Sequence, residues 1–534
     1  MTSVLNDDTE SVVRVCRALH FNRKKLRRLL SITDSESFFV MTWAISALQS
    51  GRHELSRKYI LFPSEAVTEQ IDSRYFVHPW KMETLLNECL STRKVIHLPN
   101  HPNRRLNCQS FQAMAYLCNV LTALEDAEVG IMLRKNSVFL ELHRVAQRQF
   151  EWQRGFLSIP QLYRSIFLYG GKLCREFFLE DNGVGLDEFS RACIALQALF
   201  RNSPFIKNNI SLDDVGVSSK VFQKSLGIIA VGLEGAIKKS EHIRSGIGHV
   251  AYKPSVFREY PCILSSTVSG LVFSPLPDLI ALRATSGLFY DFAKADGNVR
   301  NEIASRFEMY SSDLIRKMLP SYQVKESYRY GSKKTQFESP DMILRRGEDD
   351  LIIFECKATR MSYQAKFSEN PMSAAHKSYS EIAKGVFQIW RFVSHHRRKV
   401  GVSGKLGIDV RGVLLTLDAW LSMANGIQEE VINLAKKISE NHDPDVIDED
   451  QIPIVFCTIS DLEQTLMAAT EVSFVQTVQR ATSEEFRGWQ LWNVHNQLFS
   501  GANASRDYPF QDSLEEILPW WKEFKRRKAA SPPK

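Results

Sequence analysis

The chain has nine cysteines in 534 residues, yet no two of them form a Cys-x-x-Cys pair. The nearest neighbours, Cys108 and Cys118, have no His-x-x-x-His beside them. This argues against a structural zinc site and against a disulfide framework. Reduced thiols in a cytosolic protein are the expectation. Long apolar runs are also missing. The longest, FFVMTWAISAL (38–48) and LGIIAVGLEGA (226–236), fall short of the roughly 20 residues that a bilayer span needs. The opening MTSVLNDDTE is acidic and lacks the apolar core of a secretory signal. A cytoplasmic protein with no membrane partner is therefore expected. No G-x-x-x-x-G-K-[ST] occurs, so nothing points to a P-loop ATPase. Internal repeats and low-complexity tracts are absent.

The composition is that of an ordinary globular protein, 44% hydrophobic and 24% charged. The length suggests roughly two to four domains. A formal net charge of +7 suits a polyanionic partner without demanding one.

Residues 1–255 read as mainly helical, with apolar residues recurring at three and four spacings in FQAMAYLCNVLTAL (111–124) and DEFSRACIALQALF (187–200). A recognition, sensing or oligomerisation role is expected for them, which leaves a homodimer or a partner protein open. Pro254, Pro261, Pro275 and Pro277 crowd a short span, so 256–294 reads as a connector. From 295 to 475 the order is a helix (298–318), three strands (YQVKESYRY, SPDMILRR, LIIFECKA), a long helix, the strand VRGVLLTL, the strand IPIVFCTI and a helix. That is one α/β domain. Residues 476–534 read as a helical extension ending in the basic tail KEFKRRK.

The chemistry concentrates in LIIFECKA. Leu351, Ile352, Ile353 and Phe354 form an apolar run, as in a buried strand. Period-two alternation then puts Glu355 and Lys357 on one face. Such charges at the end of a buried strand are costly unless they are paired or bind an ion. Upstream, Pro340 suits a strand start because it cannot donate to a ladder. SPDMILRR, the turn GEDD and LIIFECKA together read as a β-hairpin with Asp341 at its open end. A loop of three or five residues would put Asp341 opposite Glu355 or Lys357, and one of four would turn it away. Two carboxylates offer hard oxygen ligands for Mg²⁺, an ion that activates water and offsets phosphodiester charge. Lys357 can neutralise charge developing on the phosphate.

Pro340-Asp341, then Glu355-Cys356-Lys357, resembles the PD-(D/E)xK nuclease superfamily, the restriction-endonuclease-like fold. The resemblance covers only the C-terminal domain and implies a central mixed sheet flanked by helices. It implies that Asp341, Glu355 and the backbone carbonyl of Cys356 bind Mg²⁺, with Mn²⁺ able to substitute, and that Lys357 assists catalysis. It also implies a further acidic residue on the preceding helix. Glu308 in ASRFEMYSSDLI is the best match and Glu302 the weaker one. In the following helix, SYSEIAKGVFQIWRFVSHHRR, a Ser378–Glu381 capping box is expected at the start. Gln388 there matches the Gln-x-x-x-Tyr motif of RecB-like branches, except that Phe392 replaces the tyrosine. The implied function is a metal-dependent DNA nuclease, and large chains of this build resemble bacterial effectors of defence against phage. The rival readings are an inactive nuclease fold that only binds nucleic acid, and an RNA-directed nuclease.

Other charged features have bland readings beside functional ones. NRKKLRR (22–28) and HHRRK (395–399) read as solvated faces or helix ends, with nucleic-acid contact as the competitor. The connection 359–377 is long for a compact domain and is expected to flank a substrate groove. Asp418, Asp461 and Glu463 are expected as local caps or surface residues, with Ser460–Glu463 forming a capping box.

Overall fold

The computed structural model describes residues 2–95, 105–132, 138–246, 248–421, 425–501, 504–518 and 520–522. The basic tail from 523 onward lies outside them. The fold is mixed α/β, with a mainly helical N-terminal region and a mixed sheet in the C-terminal part. The run 38–48 forms a buried helix, Ser35–Leu48, apolar on all sides because other helices surround it. Among the described residues no helix is long and apolar enough to cross a membrane.

The central sheet is built by β1 (Gln323–Glu326), β2 (Met342–Arg346), β3 (Asp349–Lys357), β4 (Lys405–Thr416) and β5 (Ile454–Thr458). Their spatial order is β5-β4-β3-β2-β1. β3, β4 and β5 run parallel, and β2 and β1 are antiparallel additions. The parallel strands are buried on both faces, which explains why LIIF and GVLLT read as continuous apolar runs. Helix α1 (Gly297–Met318) covers one face of the sheet, and helix α2 (His376–Arg397) covers the other. The expected first strand is interrupted. β1 ends at Glu326, and Arg329–Gly331 leaves to form a separate hairpin with Gln336–Glu338.

Residues 256–294 are no mere connector. They supply two strands, Cys262–Leu264 and Leu271–Phe273, to a small four-stranded sheet within the helical region. Val256, Phe257, Ile263 and Leu279 are buried there. Nor does the core stop at the expected boundaries. One apolar cluster runs from Leu162 and Ile166 through Phe307 and Phe354 to Leu491 and Leu518, so the helical region, α1, the sheet and the C-terminal extension share it.

Both expected capping boxes are absent. α2 begins two residues before Ser378, with Ala375 as its N-cap, and Glu381 pairs with Lys384 at 2.7 Å. A short helix, Pro371–Ala374, runs directly into α2, so its first turn needs no serine cap. The helix α3 (Ile459–Ala468) is capped by Thr458, whose hydroxyl accepts the Asp461 N–H at 3.1 Å. Glu463 is instead buried against Arg164 and the Tyr310 hydroxyl. Asp461 caps another helix by accepting the Leu491 and Trp492 N–H groups. Asp418 is buried beside Lys366 at 3.1 Å. None of the three is a surface residue.

Candidate active site

Two carboxylates and a lysine meet where the β2–β3 hairpin opens. The turn between these strands is two residues, Gly347 and Glu348, with Gly347 at φ 62°. A regular ladder from that turn would face Asp341 with Phe354. The ladder is not regular: its register shifts between Leu344 and Arg345, leaving Leu351 as an extra residue in β3. Met342 therefore pairs with Phe354, and the next position sets Asp341 opposite Glu355. Asp341 Oδ2 accepts the Cys356 N–H at 2.7 Å, which fixes its side chain across the strand end.

Lys357 Nζ lies 2.8 Å from Glu355 Oε1 and 3.1 Å from Gln388 Oε1. Gln388 reaches the pair from α2. The helix can lie so close because residue 385 is glycine. A Cβ there would stand 2.8 Å from Lys357 Cε, 3.2 Å from Glu355 Cγ and 2.7 Å from Leu414 Cδ1. Cys356 turns its thiol to the opposite face, where it packs in the core under α1.

The electrostatics are those of an anionic site short of positive charge. Burial, then the neighbouring Asp341, pushes the Glu355 carboxyl up to about 8, against the pull of Lys357. Glu308 on α1 is pushed up to about 7, again by burial and then by Asp341. Asp341 is itself raised by burial, opposed by the Cys356 N–H and Lys357. Burial pulls the Lys357 ammonium down, but Glu355 outweighs it and the net shift is upward. Glu355 Oε2 is buried and has no hydrogen-bond partner. A buried oxygen of this kind costs about 1–3 kcal/mol unless something satisfies it.

The predicted residues Asp341, Glu355, Lys357, Glu308 and Gln388 therefore share one neighbourhood. Glu302 does not. It accepts the Leu173 and Cys174 N–H groups at 3.3 and 3.0 Å, at the start of the helix Lys172–Asn182. Phe392 is buried 5.7 Å from the Tyr330 ring and adds nothing polar to the site. Among the described residues no three His, Cys, Asp or Glu side chains converge at ligating distance. The carboxylates are neighbours in charge and not a formed ligand shell. Their hard oxygens, the unpartnered Oε2 and the upward shifts nevertheless fit a divalent cation, which would supply the charge that Lys357 alone does not.

The basic run 395–399 is committed elsewhere. Arg397 pairs with Asp450 at 2.7 Å, Arg398 with Asp443 at 2.6 Å, and His395 with the Tyr330 hydroxyl at 2.8 Å. The connection 359–377 turns inward, with Lys366 bound to Glu151 at 3.1 Å and Met361 buried. In the run 22–28, Arg23 pairs with Glu128 at 2.6 Å, and Leu26 is buried. Sequence reading missed Gly385, because a glycine within a helix carries no signal unless the neighbouring strand is known. No family model, curated protein or solved structure compared with the chain matches it.

Proposed function

We propose that this chain is a divalent-metal-dependent nuclease that hydrolyses DNA phosphodiesters, with a site of the PD-(D/E)xK kind. The observation that carries this reading is the meeting of Asp341, Glu355 and Lys357 at one strand end, with Glu355 Oε2 buried and unsatisfied. Asp341, Glu355 and the Cys356 carbonyl would hold Mg²⁺, or Mn²⁺ in its place, with Glu308 as an outer carboxylate. When bound, the ion lowers the pKa of water and offsets charge on the phosphate.

The remaining chemistry belongs to the chain. A lysine ammonium has three donors. Glu355 and Gln388 take two from Lys357, which orients the third for a phosphate oxygen or an attacking water. Gln388 positions Lys357 and does not react. Gly385 keeps α2 near enough for that contact. A non-catalytic reading would make Glu355–Lys357 a closed structural ion pair, but such a pair should satisfy both carboxylate oxygens, and Oε2 is left out.

The test is cleavage of supercoiled plasmid by the full chain with Mg²⁺, Mn²⁺ or EDTA. Nicking or linearisation that vanishes in EDTA and in Asp341→Ala and Lys357→Ala is the expected result. Cleavage that persists in both variants would remove the assignment of the site.

A further inference from the structure

A sizeable cavity lies away from these residues. It measures about 1090 Å³ and is set between the helical region and the connection that follows Lys357. The helices Ser219–Ile229 and Leu233–Ser245 line one side, and segments 254–260, 282–294 and 360–366 line the others. Its size matches the upper end of small-molecule sites.

Its lining is basic. Eight lysines and arginines face four aspartates and glutamates. The four anions are spent on neighbours: Asp291 on Arg283, Asp181 on Lys294, Glu259 on Lys239, and Glu151 on both Arg258 and Lys366. Lys224, Lys238 and Arg360 form no salt bridge among the described residues, and Arg360 feels the buried Asp418 carboxylate only at longer range. Lys224 and Lys238 are exposed. Arg360 is partly buried. It donates Nη1 to the Ser286 carbonyl at 3.0 Å, while its Nε is buried without a partner. It also borders a second cavity of about 490 Å³. An arginine fork held in this way matches the geometry of a phosphate group, and two lysines add point charges.

We propose that this cavity is a binding site for a small molecule carrying several phosphate groups. The excess of unpaired cations sets the charge of the ligand, and the volume accommodates a molecule of nucleotide size. A concave site is better suited to such a ligand than to a duplex, which presents phosphates along a convex surface. The proposal is independent of the nuclease reading, because binding is measured without cleavage.

Gly227 offers a clean test. It lines the cavity, and a Cβ built on it meets nothing within 4 Å. Gly227 is exposed on its helix, so Gly227→Phe starts its side chain in open space at the cavity lining and narrows the site, and it removes a helix-disfavouring glycine. The experiment is calorimetric titration of the full chain, in EDTA, with inorganic tripolyphosphate and separately with ATP, and with a short DNA duplex as the control. The variants are Gly227→Phe and Arg360→Gln, each checked for an unchanged melting temperature. Saturable binding of at least one probe, weakened about tenfold or more by each folded variant, is expected. Preference for ATP over tripolyphosphate would identify a nucleotide ligand, and equal binding would identify the phosphates alone as what is recognised. Absence of binding by both probes overturns the proposal, as does binding that Gly227→Phe leaves intact. Binding confined to duplex DNA and lost in Gly227→Phe would overturn it in favour of a nucleic-acid contact.

Discussion

Asp341 accepts the backbone N–H of Cys356 at 2.7 Å and so stands opposite Glu355 at the mouth of the β2–β3 hairpin. The contact gives Asp341 two duties, closing the strand end and contributing charge, and substitutions can separate them. Asp341→Asn keeps an oxygen that accepts the Cys356 N–H, so the fold should hold. Plasmid cleavage should nevertheless fall by about 10²-fold or more, because the amide is a poor cation ligand. A variant that melts like the parent and still cleaves at the parental rate would show that the carboxylate charge is not needed.

Much of this site was legible in the sequence, and its geometry was not. The apolar run Leu351–Phe354 followed by Glu355 and Lys357 announces a buried strand that ends in charge. Which face Asp341 takes depends on parity. A two-residue turn alone gives the wrong answer, and the extra residue at Leu351 corrects it. No local pattern marks that bulge. The S-x-x-E pattern misled twice, once through a tertiary partner and once through a neighbour one turn along the same helix. Glu463 was taken by Arg164 and Glu381 by Lys384. The prolines of 254–277 read as a connector because three-residue strands are too short to show alternation.

Glu308 should carry a stability cost that depends on pH. Its folded-state pKa is raised to about 7 by burial and by Asp341, so the folded protein favours the protonated form. The stability tied to that form is complete below the unfolded value, near 4.5, and is lost as pH rises through 7. Glu308→Gln mimics the protonated acid. Without metal it should raise the melting temperature by about 1–3 °C at pH 8.5 and leave it unchanged at pH 4. Equal shifts at both pH values would refute the electrostatic account.

Metal binding should show the opposite trend. Glu355 titrates near 8 and Glu308 near 7 in the metal-free protein, and both must release protons to ligate. The Mg²⁺-induced rise in melting temperature should therefore be small at pH 6 and grow towards pH 9. At a hundredfold excess over Kd it would reach about 2.7 kcal/mol. Differential scanning fluorimetry across that range reads it directly. A shift that is flat with pH, or that survives in Asp341→Ala, would point to Mg²⁺ acting elsewhere.

Gly385 should matter for activity more than for stability. Gly385→Ala places a methyl 2.8 Å from Lys357 Cε and 2.7 Å from Leu414 Cδ1, so the lysine, the leucine or α2 must move. Overpacking costs about 1–3 kcal/mol, and the better helix propensity of alanine returns up to about 1 kcal/mol. Displacing Lys357 by a few tenths of an ångström or more should lower cleavage by roughly 10- to 100-fold. Cleavage rate and melting temperature measured together decide this. A fully active variant would show that the Lys357–Gln388 contact is dispensable.

The buried pair of Arg164 and Glu463 joins the helical region to the C-terminal half. Both residues are largely hidden from solvent, and Glu463 also takes the Tyr310 hydroxyl. Removing one partner strands a charge in the core shared by both regions, at a cost of about 3–5 kcal/mol. Arg164→Met should therefore destabilise the whole chain in one transition, because Leu162 and Ile166 beside it belong to the same apolar cluster as the sheet. Adding Glu463→Leu should recover most of the loss, since neither charge is then left unpaired and Tyr310 keeps the Tyr508 hydroxyl at 2.8 Å. Urea denaturation of the two single variants and the double variant tests the coupling. Two separate transitions, with only the first moved by Arg164→Met, would show that the helical region unfolds on its own and that the pair does not unite the halves.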